Sequence, residues 1–176
     1  MTNNTLFFII LLSSFLSCHN NTKNLNIKNI QDYPDNFITN PKIIIYKKNK
    51  LSLETTSDLL IKNESEDTKL KNNVTAIFYN ELGIKTSVLN SDSAFINETD
   101  NSFNAFGNVK VVSDSGFVLV TNSIYWDRSY NKVISYDSIR FTTEENDTLY
   151  GLGFESDTDL SNWKILKPSG VTYRIK

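Results

Sequence analysis

Residues 91–113, SDSAFINETDNSFNAFGNVKVVS, align without a gap on residues 121–143, TNSIYWDRSYNKVISYDSIRFTT, at an offset of 30. Ser93 falls on Ser123, Phe95 on Tyr125, Asn97 on Asp127, Asn101 on Asn131, Val109 on Ile139 and Lys110 on Arg140. A looser copy lies earlier, with Asn73–Val74 over Asn108–Val109 and Gly83–Ile84 over Gly116–Phe117, and another begins at Gly153–Phe154. Within each copy apolar residues alternate with period two, as in Lys110–Val111–Val112, Phe117–Val118–Leu119–Val120 and Ile139–Arg140–Phe141–Thr142. That period belongs to half-buried strands. No stretch carries a 3.6-residue period with caps.

Polar turn clusters separate the runs at Asn63–Asp67, Asn80–Gly83, Asn97–Asn101, Ser113–Gly116, Asp127–Asn131 and Glu144–Asp147. The expectation is an all-β domain over residues 41–176, each copy holding three or four short strands. One such unit cannot bury its apolar face alone, so the units must stack around a shared core. A stacked antiparallel array has two open edges. Its apolar interior is either a tight core or, if the sheets splay, a groove for a long apolar ligand. Gly83, Gly116 and Gly151 are read as turn glycines with positive φ, and Trp163 as core packing.

Ahead of this domain the chain has a different character. Leu6–Leu16, LFFIILLSSFL, is apolar and uncharged, but too short for a bilayer span of roughly 20 residues. It has the length of a signal-peptide hydrophobic segment. It runs into Ser17 and Cys18, the single cysteine of the chain, and one cysteine makes no internal disulfide. Small residues before a cysteine at the end of such a run form the pattern of a bacterial lipobox, with Phe15 standing where leucine is preferred. Residues 1–17 are accordingly read as a lipoprotein signal peptide and Cys18 as the lipidated residue. The alternative is an ordinary secretory signal that happens to have a cysteine nearby. Up to Asn40 the sequence is polar and Asn-rich, so residues 18–40 are expected to tether the domain. The 22 residues from 19 to 40, fully extended, would reach roughly 70 Å.

Composition excludes several functions. The net charge of −2 and pI near 5.4 give no electrostatic footprint for nucleic acid. The single histidine, His19, and the single cysteine both lie in the tether, so neither a zinc set nor a Ser-His triad can be built in the domain. The carboxylates sit in turn clusters with nothing apolar to raise a pKa. No enzyme, metal site or cofactor is expected.

Residues 105–165, followed by Gly170, resemble the LptC family of lipopolysaccharide export proteins, within the wider OstA-like group that includes LptA. The resemblance rests on Gly107–Asn108–Val109, on Gly116 before an apolar strand, and on Thr121–Trp126 with Asp127 as T-x-x-I-Y-W-D. It continues through Gly151–Ser156 and Leu160–Ile165, with Gly151–Ser156 and Trp163 the most specific part; it is weaker over Ile43–Asn97, and as a whole it covers residues 41–176. It implies a twisted antiparallel β-jelly roll whose interior holds the acyl chains of lipopolysaccharide. It also implies partners: an LptB/LptF/LptG-type ABC transporter that supplies the lipid and an LptA-like periplasmic bridge that receives it. Members of that family commonly hold themselves in the inner membrane by a transmembrane helix. Here the apolar run is about half that length and ends in Cys18, which makes a periplasmic lipoprotein anchored to the inner membrane the expectation. For the lipid trough the candidates are Phe78, Val109, Val111, Phe117, Leu119, Ile124, Trp126, Ile139 and Phe141. For the partner edge they are Val171, Tyr173 and Ile175 of the last run. The rival function is a surface or periplasmic lipoprotein that binds carbohydrate through exposed aromatic residues.

Overall fold

The computed structural model describes residues 36–62, 67–97, 99, 102–127 and 129–170. Among these residues there are eleven strands and no helix. They are β1 (Asn36–Thr39), β2 (Lys42–Lys47), β3 (Lys50–Thr56), β4 (Leu59–Lys62), β5 (Thr68–Tyr79) and β6 (Lys85–Ile96). After these come β7 (Ser102–Ser113), β8 (Val118–Asp127), β9 (Lys132–Thr142), β10 (Thr148–Asp157) and β11 (Lys164–Ser169). The first strand starts at Asn36, inside the segment expected to be tether, and pairs with β4 through Asn36–Lys62 to Thr39–Leu59. The described turn residues named from the sequence fall at or between strand ends, with Ser113 and Asp127 closing β7 and β8.

All pairings are antiparallel and belong to one sheet, in the order β1-β4-β5-β6-β7-β8-β9-β10-β11, with β2 and β3 attached to β5. The sheet does not close into a barrel. β4 pairs the first half of β5 (Lys69–Lys71) and β3 pairs the second half (Thr75–Phe78). Between those halves Asn72 and Asn73 take φ of 61° and 50°, a conformation that asparagine adopts more readily than most residues. The same interruption recurs in the neighbouring strands. The β5–β6 register slips between Lys71 and Val74, β6–β7 between Asn90 and Ser93, and β7–β8 between Phe106 and Val109. Further slips occur between Val120 and Tyr125 and between Leu152 and Phe154. Bulges bend the strands that carry them, and a row of bulges creases the whole sheet so that its two halves face each other.

The crease explains the expected strand count. Each 30-residue copy is one hairpin of two long strands, and the four short segments legible in it are the halves of two bent ones. The inward positions of β6–β7 fall on those of β8–β9 at the same offset: Leu89 on Leu119, Ala94 on Ile124, Ile96 on Trp126, Val109 on Ile139 and Val111 on Phe141, all buried. Small hydroxyl side chains line the bend and satisfy one another there. Thr121 and Ser135 share a 2.9 Å hydrogen bond, and Thr121 Oγ1 also donates to the carbonyl of Ser138 at 3.2 Å.

Gly83 and Gly116 have the expected positive φ, 79° and 99°, in their hairpin turns. Gly151 does not: it lies within β10, paired to Ile139 and Pro168. A Cβ there would run into the side chain of Ile165 and stand 2.8 Å from the carbonyl oxygen of Lys167. Its glycine serves close approach of β11, a use of glycine that sequence alone does not distinguish from a turn.

Candidate apolar interior and the pockets beside it

Of the nine candidate trough residues, eight are buried and point between the facing halves: Phe78 on β5, Val109 and Val111 on β7, Leu119, Ile124 and Trp126 on β8, and Ile139 and Phe141 on β9. Phe117, just before β8, is partly buried and stacks on Phe141 with ring centroids 5.7 Å apart. The structure therefore brings all nine into one apolar cluster. It joins them to residues the strand pattern did not single out, including Leu53, Leu70, Phe103 and Phe154. Phe154 follows the bulge at Gly153, where the alternation changes phase, so a simple period-two reading places it on the wrong face.

Aromatic contacts run across the interior from one half to the other. Phe78 meets Trp126 edge-on at 4.9 Å and Phe103 at 6.3 Å. Phe141 meets Phe154 at 5.1 Å and Trp163 at 4.8 Å. Aromatic pairs of this geometry add about 0.5–1.5 kcal/mol each beyond their area burial. The interior is packed, and the space lies in two pockets beside it.

Beside β10 and β11 a cavity of about 770 Å³ is lined by Leu149, Tyr150, Trp163, Ile165 and Pro168 among others. Trp163 is common to the cavity and to the core, because the same ring packs on Phe141. The core-packing role expected for Trp163 is thus only half of its position. A smaller pocket of about 140 Å³ lies at the β2–β3 turn, lined by Lys47, Lys48, Lys50, Leu51, Tyr79, Glu81, Asn131 and neighbours.

The interior also holds polar atoms that find no hydrogen-bond partner among the described residues. Thr55 Oγ1, Trp126 Nε1 and Ser156 Oγ are buried without a hydrogen-bond partner. Each such group costs about 1–3 kcal/mol relative to a bonded one. Trp126 and Ser156 lie in one cross-strand row, each opposite Val133 of β9. A ligand carbonyl entering between the halves would find an unbonded indole N–H.

Outside the interior, the Lys132 ammonium donates to Asp157 Oδ1 at 2.8 Å, and Asn162 Nδ2 donates to Asp157 Oδ2 at 2.7 Å. The Lys132 hydrogen bond, with that of Asn162, holds the Asp157 carboxyl below its ordinary range, and the Asp157 hydrogen bond raises the Lys132 ammonium. Cys18 and the edge candidates Val171, Tyr173 and Ile175 lie outside the described residues.

An antiparallel sheet creased around one apolar interior, open at its edges, is a β-jelly roll of the OstA type. The profile of the family described as OstA-like protein matches residues 41–158, more than half of the chain, and the chain belongs to that family, which is involved in lipopolysaccharide transport in general. None of the curated proteins matches the chain.

Proposed function

We propose that this protein is an LptC-type carrier that shelters the acyl chains of lipopolysaccharide between the halves of its creased sheet while the sugars stay in water. It accepts the lipid from an LptB/LptF/LptG-type ABC transporter and hands it to an LptA-like bridge. It works as a carrier and not as a catalyst, in the periplasm, held to the inner membrane by lipid on Cys18. The observation that carries the reading is the continuity at Trp163: one ring borders the cavity beside β11 and packs on Phe141 of the apolar interior. Burying each methylene gains about 0.8 kcal/mol, so saturated chains that displaced the aromatic contacts between the halves would be held by the same apolar burial. The driving energy for directional movement comes from the transporter.

The experiment is photo-crosslinking in cells, with a photoreactive residue at Phe117, which borders the interior, and a control at Tyr136, exposed in β9. Adducts carrying lipopolysaccharide at Phe117 and not at Tyr136 are expected. Folded, exported protein that captures no lipid at Phe117 would sink the reading. Affinity for soluble glycan lacking acyl chains would instead establish the carbohydrate-binding alternative. The anchor is tested separately: labelled palmitate should enter the wild-type chain and be absent from Cys18→Ala.

A further inference from the structure

We propose that the pocket at the β2–β3 turn is an anion site that takes a phosphate monoester, the headgroup end of the amphiphile whose chains enter the interior. The inference rests on the acyl-carrier reading and adds a polar subsite to it. Lys47 and Lys50 pair across a two-residue turn, and Lys48 and Asn49 between them have φ of 50° and 61°. Two positive φ values define the tight hairpin turn in which asparagine, aspartate and glycine are favoured at both positions. Lysine at the first position carries a conformational cost, and what it gains is an ammonium beside that of Lys50 in the wall of one pocket of about 140 Å³.

Among the described residues no ion pair engages Lys48 or Lys50. Lys47 is engaged in an interaction of its own, and one carboxylate, Glu81, shares the wall with Lys48 and Lys50, so the two ammoniums that would hold an anion face one negative charge. Asn80 adds amide hydrogens: its Oδ1 accepts from the backbone N–H of Leu82 and Ile84, at 2.9 and 3.0 Å, which leaves its Nδ2 available to an acceptor. In a chain of net charge −2 this concentration of cations is local, not a reflection of composition.

Its position relative to the apolar interior suits an amphiphile. Leu51 lies two residues before buried Leu53 on β3, Asn131 two before buried Val133, and Tyr79 directly follows buried Phe78. The strands that line the pocket thus run directly into the Phe78–Trp126 part of the interior. An anion held by Lys48 and Lys50 would leave an attached chain pointing at Leu53, Phe78 and Trp126. Lysine ammoniums bind phosphate oxygens through charge-assisted hydrogen bonds, roughly twice as strong as neutral ones.

The test uses the full chain and the double variant Lys48→Asn with Lys50→Gln, since asparagine suits the positive φ at 48 and spares the turn. The probes are lipid A with its phosphates, the same lipid after enzymatic dephosphorylation, and inorganic phosphate. Wild-type protein should bind the phosphorylated lipid about tenfold more tightly than the dephosphorylated one, with a preference that shrinks at high salt. The double variant should lose that preference and bind dephosphorylated lipid as wild type does. A variant that keeps the preference, or a wild type that has none, overturns the headgroup assignment. If neither lipid binds wild type but inorganic phosphate shifts the NMR signals of Lys48 and Lys50, the carrier reading falls and the pocket stands as a site for a soluble phosphate. If phosphate leaves those signals unmoved, the anion site falls too.

Discussion

The side-chain amide of Asn108 donates a 2.8 Å hydrogen bond to the Asp92 carboxylate across the crease of the sheet. Asn108 itself has φ of 48°, and Gly107 before it has φ of 77°. The two positive-φ residues turn β7 where the crease crosses it, and Asp92 of β6 occupies the space a side chain at 107 would need. A substitution at Gly107 therefore combines backbone strain with a displaced carboxylate. Gly107→Val should destabilise the domain by about 2–4 kcal/mol, and Asn108→Ala by about 1 kcal/mol. Equilibrium unfolding in urea checks both; equal losses at the two positions would mean that the hydrogen bond, not the backbone, sets the bend.

Phe141 touches three aromatic rings, Phe117, Phe154 and Trp163, and is fully buried. Phe141→Ala should cost about 3–5 kcal/mol, the range for large aromatic truncations in a core. Phe117→Ala, at a partly exposed position, should cost less than half of that. Urea midpoints at unchanged m-value report the difference. Similar losses for both would place Phe117 in the rigid core and remove it as a lining residue.

The Lys132–Asp157 pair sets a pH dependence whose sign follows from the two shifts. Asp157 is held below its ordinary value of 3.8, first by the Lys132 hydrogen bond and then by that of Asn162. Its contribution to stability is thus present above 3.8 and disappears as pH falls through the lowered folded value. Lys132 is raised above 10.5 by the Asp157 hydrogen bond, so its contribution holds below 10.5 and disappears as pH rises through the raised value. Thermal melts across pH should show a shallower acid limb for Asp157→Asn than for wild type. Parallel acid limbs would show that the pair exerts no net effect in solution.

Strands, turns and inward residues were legible because the apolar alternation is strong and the 30-residue offset repeats it. Val109 and Ile139, Val111 and Phe141 announce the same face twice. The crease was not legible. Asn72–Asn73 and Gly107–Asn108 look like strand ends in sequence, since asparagine and glycine mark turns as readily as bulges. Reading them as ends halves each strand and hides that the halves face each other. The same ambiguity cast Gly151 as a turn residue, where the contact with Ile165 and Lys167 requires it within a strand. The lysine pocket left no signal either, because Lys47, Lys48 and Lys50 meet Tyr79 and Asn131 only after the fold brings three turns together.

The chain has two tryptophans, and the fold places them differently. Trp126 is buried against Phe78, whereas Trp163 borders the cavity beside β11. Trp126→Phe removes the inner fluorophore, and with it the unbonded indole N–H, while keeping an aromatic ring in the row. Trp163 is then the sole indole, at the border between the cavity and the interior. A fatty acyl chain brominated near its terminus quenches an indole only at close contact, so a chain that enters beside β11 should quench Trp163 in this variant. The converse variant, Trp163→Phe, leaves Trp126 as reporter of the interior. Quenching of both indoles, with the half-saturating lipid concentration shared, is the expected result for chains that pass Trp163 and lie between the halves. Quenching of Trp163 alone would confine the chain to the cavity and leave Phe78, Trp126 and their neighbours as packed core.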